Sequence, residues 1–145
     1  MVEQVSVFLE NKEGRLAELT RTLGDAGIDM HALMVADTSD FGVVRIICDA
    51  PERAKALLDE RGFGASLVNV LAVEIPDRPG GLADLLDAFD AARMNVEYAY
   101  CFVRSAGQSA VDVFKVDDPG AAAVLADAGF RVLGPADLYT PDQSA

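Results

Sequence analysis

Two stretches of this chain, "ENKEGRLAEL" from Glu10 and "PDRPGGLADLL" from Pro76, can be laid on one another residue by residue. A shift of 66 positions pairs Asn11 with Asp77, Lys12 with Arg78, Gly14 with Gly80, Leu16 with Leu82, Ala17 with Ala83 and Leu19 with Leu85. The same shift carries Leu23 to Phe89, Ala26 to Ala92, Ile28 to Met94 and Asp29 to Asn95. Pro51 and Pro119, and the Gly-Phe pairs at Gly62 and Gly129, agree at slightly longer shifts. This duplication constrains the fold more than any other feature. A chain of 145 residues holds two copies of about seventy residues, a size that is only marginally stable alone, so the copies are expected to pack side by side.

Each copy reads as the same series of elements. "VSVFL" alternates as a strand, and a helix from about Gly14 to Ala26 places Leu16, Leu19, Leu23 and Ala26 on one face. "IDMHALMVAD" is a second strand, the turn "TSDFG" leads to a third, "VVRIICD", and "APERAKALLDERGF" is a helix with proline at its first position and glycine at its exit. A fourth strand follows near Ala65 to Val68. The second copy repeats this with "NVLAVEI", a helix from Gly80 to Ala92, "MNVEYAYCFV", "SAVDVFKV", a helix from Pro119 to Ala128 and "FRVLG". The order βαββαβ predicts an α+β fold of two ferredoxin-like repeats, each an antiparallel sheet with both helices on one face. The expected divisions are 1–69 and 70–139, with 140–145 as a mobile tail. No linker separates the copies, since "SLVNVLAVEI" runs from one into the other.

Composition narrows the function classes. Half of the residues are hydrophobic and a quarter charged, as in a folded globular protein. The formal charge of -12, from 24 acidic and 12 basic residues, repels phosphate backbones and anionic lipid surfaces, so neither nucleic acid nor membrane is an expected partner. No apolar run reaches the roughly 20 residues that cross a bilayer, and the N-terminus lacks the pattern of a signal peptide; a cytoplasmic protein is expected. Cys48 and Cys101 sit in apolar runs and read as reduced, buried thiols. The single histidine, His31, has Asp29 two residues before it, which does not make a metal site. No nucleophile has a base at motif spacing, and no phosphate loop or metal cluster is legible, so no catalytic residue, metal or cofactor is expected.

The order of elements, with "ENKEGRLAEL" and "PDRPGGLADLL" between first strand and first helix and "LGDAGIDMHAL" and "FDAARMNVEYAY" leading into the second strand, resembles the ACT domain, a small amino-acid-binding regulatory module. The whole chain resembles a tandem ACT protein without a catalytic domain. The resemblance implies a free amino acid as ligand, held where the strand-to-helix turn of one module meets the start of the second strand in its neighbour. It implies allosteric regulation of an amino-acid-metabolism enzyme as a possible partner, and a homodimer or larger homo-oligomer, because strand edges need covering.

On this reading the ligand-binding candidates are Asn11, Lys12, Glu13 and Gly14 in the first turn, Asp77, Arg78 and Gly80 in the second, and Asp29 and Asn95 before the second strands. A carboxylate is attracted to the free N–H groups at the start of a helix, and glycine lets the backbone come close. Pairing about a pseudo-twofold axis would join Asn11 with Asn95 in one seam and Asp77 with Asp29 in the other. Two amides offer donors and acceptors to a zwitterion, whereas two carboxylates repel each other unless a cation sits between them. The Asn11 and Asn95 seam is therefore the expected site. The alternative roles are helix caps for Asn11 and Asp77 and plain polar positions for Asp29 and Asn95. Competing functions are an interaction subunit whose ligand site has decayed, and a small ferredoxin-like enzyme.

Overall fold

The structure is a computed structural model that describes residues 1–37, 41–103 and 109–140. The expected turn over Thr38–Asp40 and all of the expected tail but Thr140 lie outside the described residues. The chain divides into two compact units. One consists of Glu3–Val68 together with the segment from Leu138, and the other of Met1–Val2 with Asn69–Asp137.

In the first unit β1 (Val2–Glu10), α1 (Arg15–Asp25), β2 (Met30–Asp37), β3 (Phe41–Cys48) and α2 (Pro51–Glu60) are followed by the start of β4 (Gly64–Ile75). The strands lie in the order β2-β3-β1-β4, with β1 and β3 antiparallel (Val5 opposite Ile46, Val7 opposite Val44) and β2 and β3 antiparallel (Leu33 opposite Ile46). Alternate residues face α1 and α2: Val5, Val7 and Leu9 of β1 and Val44, Ile46 and Cys48 of β3 bury against Leu19, Leu23, Ala54 and Leu58. Pro51 opens α2 at its first turn, as its fixed φ favours.

The second unit repeats the arrangement. It contains the rest of β4, α3 (Gly81–Ala91), β5 (Tyr98–Val103), β6 (Ala110–Lys115), α4 (Ala121–Asp127), β7 (Arg131–Leu133) and the short α5 (Pro135–Leu138). Its strand order is β5-β6-β4-β7, all antiparallel. Leu71, Val73 and Ile75 of β4 and Ala110 and Phe114 of β6 pack against Leu85 and Phe89 of α3 and Ala121 and Leu125 of α4. Phe89 and Phe114 meet edge to face, with ring centroids 5.8 Å apart. Both units therefore have the ferredoxin-like βαββαβ plan that the sequence pattern predicts.

Several details differ from expectation. The last strand of the first copy and the first strand of the second are one continuous strand, β4, because nothing in "SLVNVLAVEI" breaks the extended backbone. Leu16 is exposed although it shares the α1 stripe. The buried arc of α1 runs through Leu19, Thr22 and Leu23, and Leu16 lies about 60° to one side of Leu19 at 100° per residue. Thr22 tolerates burial because its hydroxyl donates to the Glu18 carbonyl at 2.8 Å. Cys48 is buried as expected, but Cys101 is exposed. Its register opposite Asp112 puts it on the helix-side face, yet β5 is an edge strand and the helices pack over β4 and β6. Leu33 and Val35, on the helix-side face of the other edge strand β2, are exposed for the same reason, at 43% and 46%.

Candidate functional site

The two strand-to-helix turns are built alike. After β1 the chain closes with Lys12 N–H on the Glu10 carbonyl (2.8 Å) and Arg15 N–H on the Lys12 carbonyl (3.3 Å). After β4 it closes with Arg78 N–H on the Pro76 carbonyl (3.0 Å) and Gly81 N–H on the Arg78 carbonyl (3.1 Å). Gly14 and Gly80 are the N-caps of α1 and α3, both at φ 85°, in the left-handed region that an L residue enters only at a cost. Neither helix has a side-chain cap, so Asn11 and Asp77 are not the caps that the alternative reading makes of them. Beyond Arg15 and Gly81, whose N–H groups close the turns, the first-turn N–H groups of each helix meet no side-chain cap, at the positive end of an 11-residue helix dipole.

Asn11, Lys12, Glu13 and Gly14 share the first turn, and Asp77, Arg78 and Gly80 share the second; all are exposed. Lys12 pairs with Glu10 at 2.8 Å. This pairing, through a hydrogen bond first of all, holds the Glu10 carboxyl below its ordinary range. Arg78 donates to Asp84 at 2.8 Å and to the Pro79 carbonyl at 3.1 Å, folding over its own turn. In the first repeat Arg15, at the position of Gly81, lies over the Phe63 ring at 4.5 Å and bonds Glu18.

Asp29 and Asn95 occupy equivalent places after α1 and α3 but have different surroundings. The Asp29 N–H donates to the Asp49 carboxylate at 3.1 Å, the Asp49 N–H returns to the Asp29 carbonyl at 3.2 Å, and the Asp29 carboxylate stands 3.7 Å from His31. His31 in turn stacks on Tyr139 with centroids 5.4 Å apart. Asn95 instead lines an open cleft of about 330 Å³ with Arg93, Glu97, Asp117 and Asp118 among its walls. Asp117, one of those walls, accepts a hydrogen bond from Lys115. Arg93 holds the left-handed backbone position (φ 57°) that Gly27 fills in the first repeat.

The turn and the second-strand start of one repeat lie at opposite ends of the intervening helix, roughly 16 Å long for 11 residues. One small ligand cannot touch both within a repeat. Among the described residues no group of three or more His, Cys, Asp or Glu side chains could hold a metal ion. No described helix is long and apolar enough to cross a membrane. Sequence reasoning passed over Arg93 and Asp112; the signal for Asp112 was an acidic residue at an inward position of the alternating run "SAVDVFKV".

Two four-stranded βαββαβ units, each with an uncapped helix start behind a left-handed glycine, define a pair of small modules of one plan. The chain matches the ACT domain pair family over residues 1–129, and it belongs to that family, a regulatory and not a catalytic module. A search of curated proteins returned no match. Among solved structures, protein BT0572 from Bacteroides thetaiotaomicron is similar at 33% identity over 95% of each chain, with a TM-score of 0.89. The regulatory subunit of aspartate kinase from Thermus thermophilus, in a ligand-free form, shares the fold at 16% identity and a TM-score of 0.64, over 88% of this chain and 90% of that one. The corresponding subunit from Thermus flavus does so at 17% identity and the same TM-score and coverage.

Proposed function

We propose that this ACT pair is an amino-acid sensor that regulates an enzyme of amino-acid metabolism, its effector held between two ACT modules. The modules are residues 1–69 and 70–139. The effector carboxylate lies at the start of α1, on the turn from Asn11 through Lys12 and Glu13 to Gly14. Its ammonium or side chain is read by residues around Asn95 of a neighbouring module, in the same chain or in a second copy. The observation that carries this reading is the uncapped helix start behind a glycine at φ 85°, which leaves N–H groups and a positive dipole end for an anion. The contrast between Asp29, whose backbone is tied to Asp49, and Asn95, which lines an open cleft, supports the choice of Asn95. The second turn, with Asp77, Arg78 and Gly80, and Asp29 form the lesser site.

The fold shared with regulatory subunits of aspartate kinase supports an enzyme partner. The edge strands β2 and β5, and the exposed Leu33 and Val35 on β2, support a homodimer. The same apolar exposure, with Leu82 and Leu86 on α3, favours the second reading, an interaction subunit with no ligand. A melting-temperature screen against the twenty amino acids separates them. A ligand at 100 times its Kd stabilises by about 2.7 kcal/mol, whereas an interaction subunit shows no shift. With the amino acid so found, Asn11→Ala and Asn95→Ala are expected to lose roughly ten- to a hundred-fold in affinity by calorimetry and Asp29→Ala little. Equal loss in all three variants, or loss in Asp29→Ala alone, would place the ligand in the other site.

A further inference from the structure

The exits of α1 and α3 are closed by the same pair of hydrogen bonds. Gly27 N–H donates to the Gly24 carbonyl (3.0 Å) and Ile28 N–H to the Leu23 carbonyl (3.1 Å); Arg93 N–H donates to the Asp90 carbonyl (2.9 Å) and Met94 N–H to the Phe89 carbonyl (2.9 Å). In both, the residue after the helix turns left-handed, at φ 74° for Gly27 and 57° for Arg93. Glycine enters that region without strain and is the usual residue at such a helix exit. Arg93 is the one non-glycine residue with positive φ among those described. The first repeat therefore makes this turn with no side chain at all, and the second keeps an arginine there against the backbone preference.

The place of that arginine is a cleft. Arg93 lines the opening of about 330 Å³ together with Asn95, Glu97, Asp117 and Asp118. The acidic walls have partners of their own: Lys115 meets Glu97 at 3.4 Å and bonds Asp117, and Asp118 accepts the Gly120 N–H at 2.8 Å. Among the described residues no carboxylate or carbonyl pairs with the Arg93 guanidinium. A guanidinium presents its donors as a planar fork, which matches a carboxylate two bonds at a time.

We propose that Arg93 sets the specificity of the Asn95 cleft and that the effector is an amino acid with an acidic side chain, its side-chain carboxylate on the Arg93 guanidinium. The inference rests on the amino-acid-sensor reading above, in which the α-carboxylate lies at the start of α1 and the rest of the molecule at the Asn95 cleft. It adds the chemistry of that rest. An α-ammonium suits the acidic walls, and a second carboxylate suits the charged wall that has no protein partner. A neutral side chain gains nothing from the guanidinium, and a basic one is repelled by it.

The full chain is titrated calorimetrically with L-aspartate, L-glutamate, their amides L-asparagine and L-glutamine, and L-lysine, which share the α groups and differ in side-chain charge. One of the two acids is expected to bind at least about tenfold more tightly than its amide and than L-lysine. Arg93→Gly, which puts the first-repeat residue on the same backbone, is expected to reduce that preference for the acid over its amide to about threefold or less. Without ligand it is expected to melt no lower than the parent. An amide or L-lysine binding as tightly as the acids, or a full preference kept by Arg93→Gly, overturns the proposal and leaves the sensor reading standing. Acids that do not bind also overturn it; the sensor reading is then decided separately, by whether any of the twenty amino acids shifts the melting temperature. A lower melting temperature for Arg93→Gly would give the guanidinium a structural task and overturn the assignment.

Discussion

The two cysteines show how much a single side chain's setting decides. Burial pushes the Cys48 thiol up to about 11, and partial burial with the nearby Asp112 and Asp77 carboxylates also raises Cys101. A thiol reagent at pH 8 should therefore modify Cys101 slowly, and Cys48 only after denaturation, as a titration of released chromophore would show. Two fast thiols would mean that β3 opens readily. Asp112 supplies the pH dependence. Its raised folded-state pKa favours the protonated form, so its stabilising contribution is present below the unfolded value and is lost as pH rises through the folded one. The melting advantage of Asp112→Val over the parent should thus be small near pH 4 and larger at pH 7, and an advantage that shrinks as pH rises would contradict the buried carboxyl. The identity and spacing of both residues were legible in the sequence, but their setting was not. Alternation along "VEYAYCFV" separates two faces without saying that helices leave one edge of the sheet bare.

At the scale of elements, the repeat made nearly everything legible, because each weak local signal occurs twice. The glycines at 14 and 80 announced strand-to-helix turns, and both hold a left-handed backbone. What could not be read was how the turns differ. A Cβ on Gly81 would stand 2.5 Å from the Pro76 carbonyl oxygen, while the first repeat accommodates Arg15 at the same position. Gly81→Ala should therefore cost about 1–3 kcal/mol of unfolding free energy by overpacking. Gly14→Ala meets nothing within 4 Å and should cost only the backbone term, roughly 1 kcal/mol. Denaturant unfolding checks the order: equal costs would mean that the Pro76 turn relaxes. Apolar periodicity likewise located α1 but not its exact buried arc, since Leu16 and Thr22 exchange the roles that hydrophobicity alone assigns them.

At the scale of the molecule, neither unit is a continuous piece of sequence. The first is completed by the segment from Leu138, where Tyr139 is buried and stacks on His31, and β4 runs through the boundary between the units. A fragment of residues 1–70 cuts β4 in mid-strand and lacks Tyr139. It should be unfolded or self-associated by circular dichroism and sedimentation, and a monomer melting like the full chain would disprove that dependence. No pattern in "PADLYTPDQSA" identified His31 as the partner of Tyr139, because a contact between residues more than a hundred positions apart leaves no local trace. The return of the chain end to its beginning also decides what an observer placed there would see. A fluorophore at position 139 would report on His31 and the start of β2, so a signal from the tail of this protein is news from its first module.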